Sequence, residues 1–186
     1  MTEVKHLEAE ELEAGLEDIL QSPKDHGVVK MIVRRPDVDH REVLEEAELD
    51  ITEGLVGDNW RRRGSGSTPD GSAHPEMQLN IMNARVIALV AVSRERRSLA
   101  GDQFYIDLDL TKDNLPPGSQ LELGTAIVEI PSVPHLGCKK FAMRFGVEAA
   151  KFVNSRRGKQ LNLRGINARV IKPGVVRVGD TARKLS

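Results

Sequence analysis

Hydrophobic and polar positions fall into short blocks along this chain, and the period changes from one block to the next. Leu7, Leu12, Leu16, Ile19 and Leu20 recur at near-helical spacing among glutamates, which predicts an amphipathic helix over residues 7–20, ended by Pro23. Residues 28–33 are rich in β-branched side chains and stop before Pro36, the pattern of a strand. Residues 41–50 favour helix by propensity, while Val43, Leu44, Ala47 and Leu49 leave the period undecided. A stretch rich in Gly, Ser, Pro and Asp over residues 64–75 predicts a long loop, and loops of that length tend to be functional or disordered.

In the second half, residues 83–92 read as a helix that buries Val86, Ile87 and Val90. Phe104, Ile106, Leu108 and Leu110 then alternate with Tyr105, Asp107 and Asp109, which predicts a half-buried strand; Asp107 and Asp109 share one face of it, read as its wet face, with a carboxylate pair as the alternative. Residues 121–123 and 126–130 form two short strands joined through Gly124-Thr125. Phe141, Phe145, Ala149 and Phe152 define one face of a helix over residues 140–153, weakened by Gly146. Lys172-Pro173-Gly174 lies between two β-branched runs, 168–171 and 175–178, and predicts a hairpin. Many short strands with a few helices favour an α+β, mainly β, barrel-like domain over a parallel sheet. The organisation expected is an N-terminal helical segment over 1–26 and one domain over 27–186.

Composition narrows the function classes. The net charge of −1 creates no global field for nucleic acid or an anionic membrane, and 3% aromatic residues leave few rings to stack on bases. No apolar run approaches the length needed to span a bilayer, and the first residues lack a signal-peptide pattern. With one cysteine, these features predict a reducing, cytoplasmic setting.

That cysteine is Cys138, in Pro134-His135-Leu136-Gly137-Cys138-Lys139-Lys140-Phe141. A lone cysteine is either a small packed hydrophobe or a reactive thiol. Gly137 before it and two lysines after it are a poor context for burial. His135, Lys139 and Lys140 would raise the local positive potential and favour the thiolate. Lysines in the first turn of a helix oppose the helix dipole, a cost easier to understand if an anion docks there. His74, His135 and Cys138 lack zinc-site spacing, so solvated histidines are the favoured reading. Arg61, Arg62 and Arg63 read as a solvated basic turn, with phosphate or carboxylate binding as the alternative.

Three segments carry a resemblance to a known family. Gly54-Leu55-Val56-Gly57-Asp58, the Cys138 loop, and Arg164-Gly165-Ile166-Asn167-Ala168-Arg169-Val170 with Val178-Gly179-Asp180 occur in the order found in MOSC domains, and the chain resembles that family over about residues 28–183. The family is the module that forms the C-terminal part of molybdenum cofactor sulfurases. Asn59-Trp60 stand where many members have Arg-His. The resemblance implies a MOSC-like β-barrel with a few short peripheral helices, and a cysteine suited to carrying sulfur as a persulfide or to ligating molybdenum. It implies molybdenum cofactor as a possible ligand held through Cys138. His135, Lys139, Lys140, Arg144, Arg164 and Asp58 are then candidate contacts to a small anionic ligand. No pyridoxal phosphate is expected on this chain, nor a nucleic-acid or membrane partner. A cysteine desulfurase or an electron-transfer protein is the implied partner. The activities compatible with this are sulfurtransferase-type chemistry, molybdenum-dependent reduction of N-hydroxylated compounds, or binding without turnover.

Overall fold

The computed structural model describes residues 4–185. Eleven strands run β1 (His26–Arg34), β2 (Glu42–Leu44), β3 (Glu46–Asp50), β4 (Gly54–Leu55), β5 (Leu79–Asn83), β6 (Phe104–Asp107), β7 (Gln120–Leu123), β8 (Ala126–Glu129), β9 (Ile166–Lys172), β10 (Gly174–Arg177) and β11 (Thr181–Lys184). Seven helices accompany them: α1 (Ala9–Ala14), α2 (Leu16–Leu20), α3 (Trp60–Arg63), α4 (Ala84–Ala91), α5 (Lys139–Phe145), α6 (Val147–Asn154) and α7 (Arg156–Gln160).

Seven strands close into a barrel in the order β1-β6-β5-β9-β8-β7-β11, and β11 pairs back onto β1 with His26 opposite Arg183. Only β5–β6 is parallel among the barrel pairs. Closure leaves no open edge in the barrel itself, and β2 extends the far end of β1. The barrel is filled by apolar residues that include Val29, Ile32, Leu79, Ile81, Phe104, Ile106, Val128 and Val170. Val29 and Ile32 are three apart, which strict alternation forbids on one face. A register shift between Val29 and Met31 supplies the extra residue that puts both inside.

A second cluster covers one outer flank. Leu12, Leu16 and Ile19 from α1 and α2, Val86 and Val90 from α4, and Phe141, Phe145 and Phe152 from α5 and α6 pack against Met82, Val33 and Tyr105. Tyr105 alternates with the apolar positions of β6 yet does not face water. It is buried because this helical layer covers the outer side of β6. Asp107 meets Arg85 at 2.8 Å and Asp109 accepts from the Thr111 backbone, so the two carboxylates are not a pair.

Four further expectations change. The helix over 7–20 is two short helices meeting at Gly15. Residues 41–50 are strands, and the burial of β3 alternates through Ala47 and Leu49. The helix over 140–153 breaks at Gly146, whose φ of 94° lies in the region glycine favours. The predicted hairpin does not form. β9 pairs with β5 and β8, whereas β10 leaves the barrel and pairs with β3, Val176 opposite Ala47. A Cβ on Gly174 would lie 2.6 Å from backbone atoms of Thr125 and Ala126, so the chain crosses closely over the β7–β8 turn instead of folding back on β9.

Candidate functional site

The cysteine loop is mounted by two amide contacts. The Asn154 side chain accepts from the Gly137 N–H and donates to the Gly137 carbonyl, both at 2.9 Å. Cys138 then caps the start of α5, and its side chain is exposed. The thiol therefore sits at solvent on a fixed backbone. A Cβ at Gly137 would lie 3.0 Å from the Asn154 amide and the Val153 side chain, so a larger residue there would push on the contact that mounts the loop.

His135 turns inward from the same loop. Its Nε2 lies 3.0 Å from Asp102 Oδ1, and Arg164 Nη1 donates to both Asp102 oxygens at 2.9 and 2.8 Å. Arg164 Nη2 donates to the Ala100 carbonyl, and the guanidinium lies over the Phe141 ring at 5.0 Å. Asp102 is fully buried. Burial alone would raise its pKa, but Arg164 and the His135 hydrogen bond outweigh burial and hold it below the usual carboxylate range. Burial and then Arg164 push His135 below the usual histidine value, against the pull of Asp102. A neutral imidazole facing an ionised Asp102 carries its proton on Nε2, which leaves the Nδ1 lone pair available.

A second buried ion pair stands behind the first. Arg35 donates from Nε and Nη2 to the two oxygens of Asp58 at 2.9 and 2.8 Å, and from Nη1 to the Gly101 carbonyl. Arg35 Nη1 also reaches Asn80 Oδ1 at 3.2 Å, Asn80 Nδ2 donates to Asn167 at 2.7 Å, and Asn167 Nδ2 donates to the Val133 carbonyl at 2.9 Å. The Gly-Asp segment, the Arg-Gly-Ile-Asn segment and the cysteine loop are thus joined through one polar chain. The Tyr105 hydroxyl is buried without a hydrogen-bond partner within the field of Asp102, Arg164 and Arg35, and burial pushes its pKa up.

Beside this network lies a cleft of about 390 Å³. The loop residues from Pro131 to Leu136 form one wall, and Lys112, Lys159, Asn162 and Arg164 supply its polar side. No acidic side chain lines it. Arg164 Nε is buried there without an acceptor.

The sequence-selected residues therefore separate. His135 and Arg164 line the cleft, and Cys138 follows directly on the loop that walls it. Asp58 is buried, and its carboxylate is engaged by Arg35 and backbone N–H groups. Lys139 is exposed. Lys140 and Arg144 reach Asp39 at 3.5 and 2.9 Å, and Arg144 also donates to the Leu99 carbonyl. Arg61 pairs with Glu53 and Arg62 donates to the Pro36 carbonyl. Arg63 is exposed, and desolvation followed by the Arg35 charge lowers its pKa. Among the described residues no group of three metal-ligating side chains forms, and the His74 ring instead accepts from the Glu76 N–H. Sequence reasoning missed Asp102, Arg35, Asn80, Asn154 and the two cleft lysines. An acidic residue two positions before the apolar run at Phe104 was the available hint for Asp102.

The family model for the MOSC domain matches residues 69–183. No curated protein matches the chain. Among solved structures, YuaD from Bacillus subtilis superposes with a TM-score of 0.59 at 16% identity, covering 87% of this chain and 97% of that one. YiiM from Escherichia coli gives a TM-score of 0.54 at 19% identity, with 86% and 70% covered. YiiM from Geobacillus stearothermophilus gives 0.52 at 15% identity, with 89% and 75% covered. At these identities the likeness is one of fold. No helix among the described residues is long and apolar enough to cross a membrane.

Proposed function

Because the chain belongs to the MOSC domain family, we propose that it handles a small anionic ligand through Cys138, either carrying sulfur on the thiol or holding molybdenum cofactor by it. The observation that carries this reading is the cleft itself. It presents Lys112 and Lys159 with no acidic side chain in its lining, it is backed by the buried Arg164–Asp102 pair, and the loop forming its wall leads into an exposed thiol. The fit to the cofactor rests on donor chemistry. A thiol is a soft ligand suited to molybdenum, and the two cleft lysines are suited to an anionic group. When bound, the cofactor would supply redox chemistry at its metal. The chain's own residues bind and orient. Asn154 fixes the thiol's backbone, and Asp102 fixes the imidazole of His135 with its Nδ1 lone pair open to accept a proton.

As a sulfur carrier the chemistry balances without an added oxidant. The Cys138 thiolate attacks the outer sulfur of a donor persulfide, the donor's S–S bond breaks, and the donor departs as a thiolate, leaving a persulfide on Cys138. A cysteine desulfurase is the class of protein that would present such a donor. In the reductase reading an electron-transfer partner is required instead.

The test is metal analysis and non-reducing intact mass of protein from a molybdenum-replete host, with Cys138→Ser as control. Molybdenum or one added sulfur in the wild type, absent from the variant, is the expected result. Wild type carrying neither, also after incubation with a persulfide donor, sinks both forms of the proposal and leaves a binding module without turnover. Bound molybdenum together with turnover of an N-hydroxylated substrate, given electron donors, selects the reductase form.

A further inference from the structure

A second cleft, of about 670 Å³, shares no lining residue with the first. It is bounded by β1, β2, α4, β6 and the 3₁₀ turn Arg94–Ala100. Its floor is apolar, with Met31, Leu44, Ile87 and the ring of Tyr105, of which Ile87 and Tyr105 are fully buried. A cavity of several hundred Å³ with an apolar floor and a few polar groups is the usual form of a small-molecule site.

The polar groups are unequal in how far the protein satisfies them. Arg85 is tied to Asp107 and Asp18. Arg97 is half-buried, its Nε is buried without an acceptor, and among the described residues it has no ion-pair partner within 4 Å. Its neighbour Glu95 is held first by its own backbone and by Ser93; it feels the charges of Arg94 and Arg97 but forms no ion pair with either among the described residues. A guanidinium N–H removed from water without an acceptor is costly, and an acceptor from outside removes that cost. The lining as a whole is balanced, with Lys30, Arg85, Arg94 and Arg97 against Asp18, Glu45, Glu95 and Asp107. That balance disfavours a multiply charged phosphate and suits a single carboxylate, whose geometry matches a guanidinium.

We propose that this cleft binds a small amphipathic monocarboxylate, its apolar body on Met31, Val43 and Leu44 above the buried Ile87 and Tyr105, and its carboxylate accepting from Arg97. The site is independent of Cys138. The test uses the full chain with three probes (naphthalene-2-carboxylate, indole-3-acetate and octanoate) followed by methyl NMR and calorimetry. At least one probe saturates, shifts the Met31 and Ile87 methyl signals, and leaves those of Val133 and Leu136 in place. Arg97→Gln weakens that probe tenfold or more, and replacing its carboxylate by an alcohol does the same. Ala88→Trp, which fills the cleft, abolishes binding, while both variants keep the wild-type methyl spectrum elsewhere. The proposal is overturned if no probe saturates at millimolar concentration, if Arg97→Gln leaves affinity unchanged, or if the shifts fall on the Cys138 loop.

Discussion

The Asp102–Arg164 pair makes the sharpest quantitative demand on this structure. Arg164 is 5% exposed and Asp102 is fully buried, with contacts of 2.8 and 2.9 Å between them. Removing one partner from such a pair leaves a buried charge without compensation, which costs about 3–5 kcal/mol. Asp102→Asn keeps the shape, and the amide still offers Arg164 one acceptor, so its loss is expected at the lower end, about 3 kcal/mol. For a chain of this size each kcal/mol lowers the melting temperature by about 2–4 °C, so the expected fall is about 6–12 °C. Arg164→Met should cost a similar amount, since it strands Asp102 with only His135. The double variant Asp102→Asn/Arg164→Met removes both charges and should cost clearly less than the sum. Urea unfolding of all four proteins gives the coupling, provided the slope stays constant across the set. Additivity within about 0.5 kcal/mol would show that the two charges do not depend on each other and would refute the reasoning. Imidazole NMR adds a second readout. Losing the Asp102 charge removes the influence that raises the His135 pKa, so that pKa should fall further in Asp102→Asn.

His135 also predicts how stability depends on pH. Its folded pKa lies below the unfolded value of about 6.5, so its contribution is present above that value and is lost as pH falls through it toward the folded pKa. His135→Gln should flatten the decline in urea midpoint between about pH 7 and 5; an unchanged slope would count against the buried neutral imidazole. Gly165 has φ 112°, and a Cβ there would lie 2.4 Å from the Ile81 carbonyl oxygen inside a strand pairing. Gly165→Ala should therefore cost more than about 3 kcal/mol or prevent folding, and a variant within 1 kcal/mol of wild type by urea unfolding would exclude that close approach.

The barrel was legible where local pattern and pairing coincide. The β7–β8 hairpin follows from two short runs around Gly124-Thr125, and α4 follows from a helical period behind an Asn that caps it. Pattern failed where the partner was distant. Lys172-Pro173-Gly174 marks where β9 ends and β10 begins, but it does not reveal that Val176 belongs with Ala47, so a hairpin is the natural misreading. β5 gave no strand signal because it is buried on both faces and shows no alternation. The site divides in the same way. Cys138 and His135 announced themselves by residue type and Arg164 through the family resemblance, whereas Asp102, Arg35 and Asn80 look like ordinary surface residues until the fold buries them together.

The closure of the barrel has a consequence for how the chain must be made. The seam joins residues 26–28 to residues 181–183, so the first barrel strand waits for the last before the cylinder exists. Until then both β1 and β7 present unpaired backbone that can template association with another molecule. Deleting residues 181–184 would thus remove more than a strand's worth of contacts, since it would turn a sealed surface into two adhesive margins. The vulnerable moment of this protein is its unfinished state, and a shortage of folding assistance during synthesis should show as aggregation well before any loss of stability in the completed molecule.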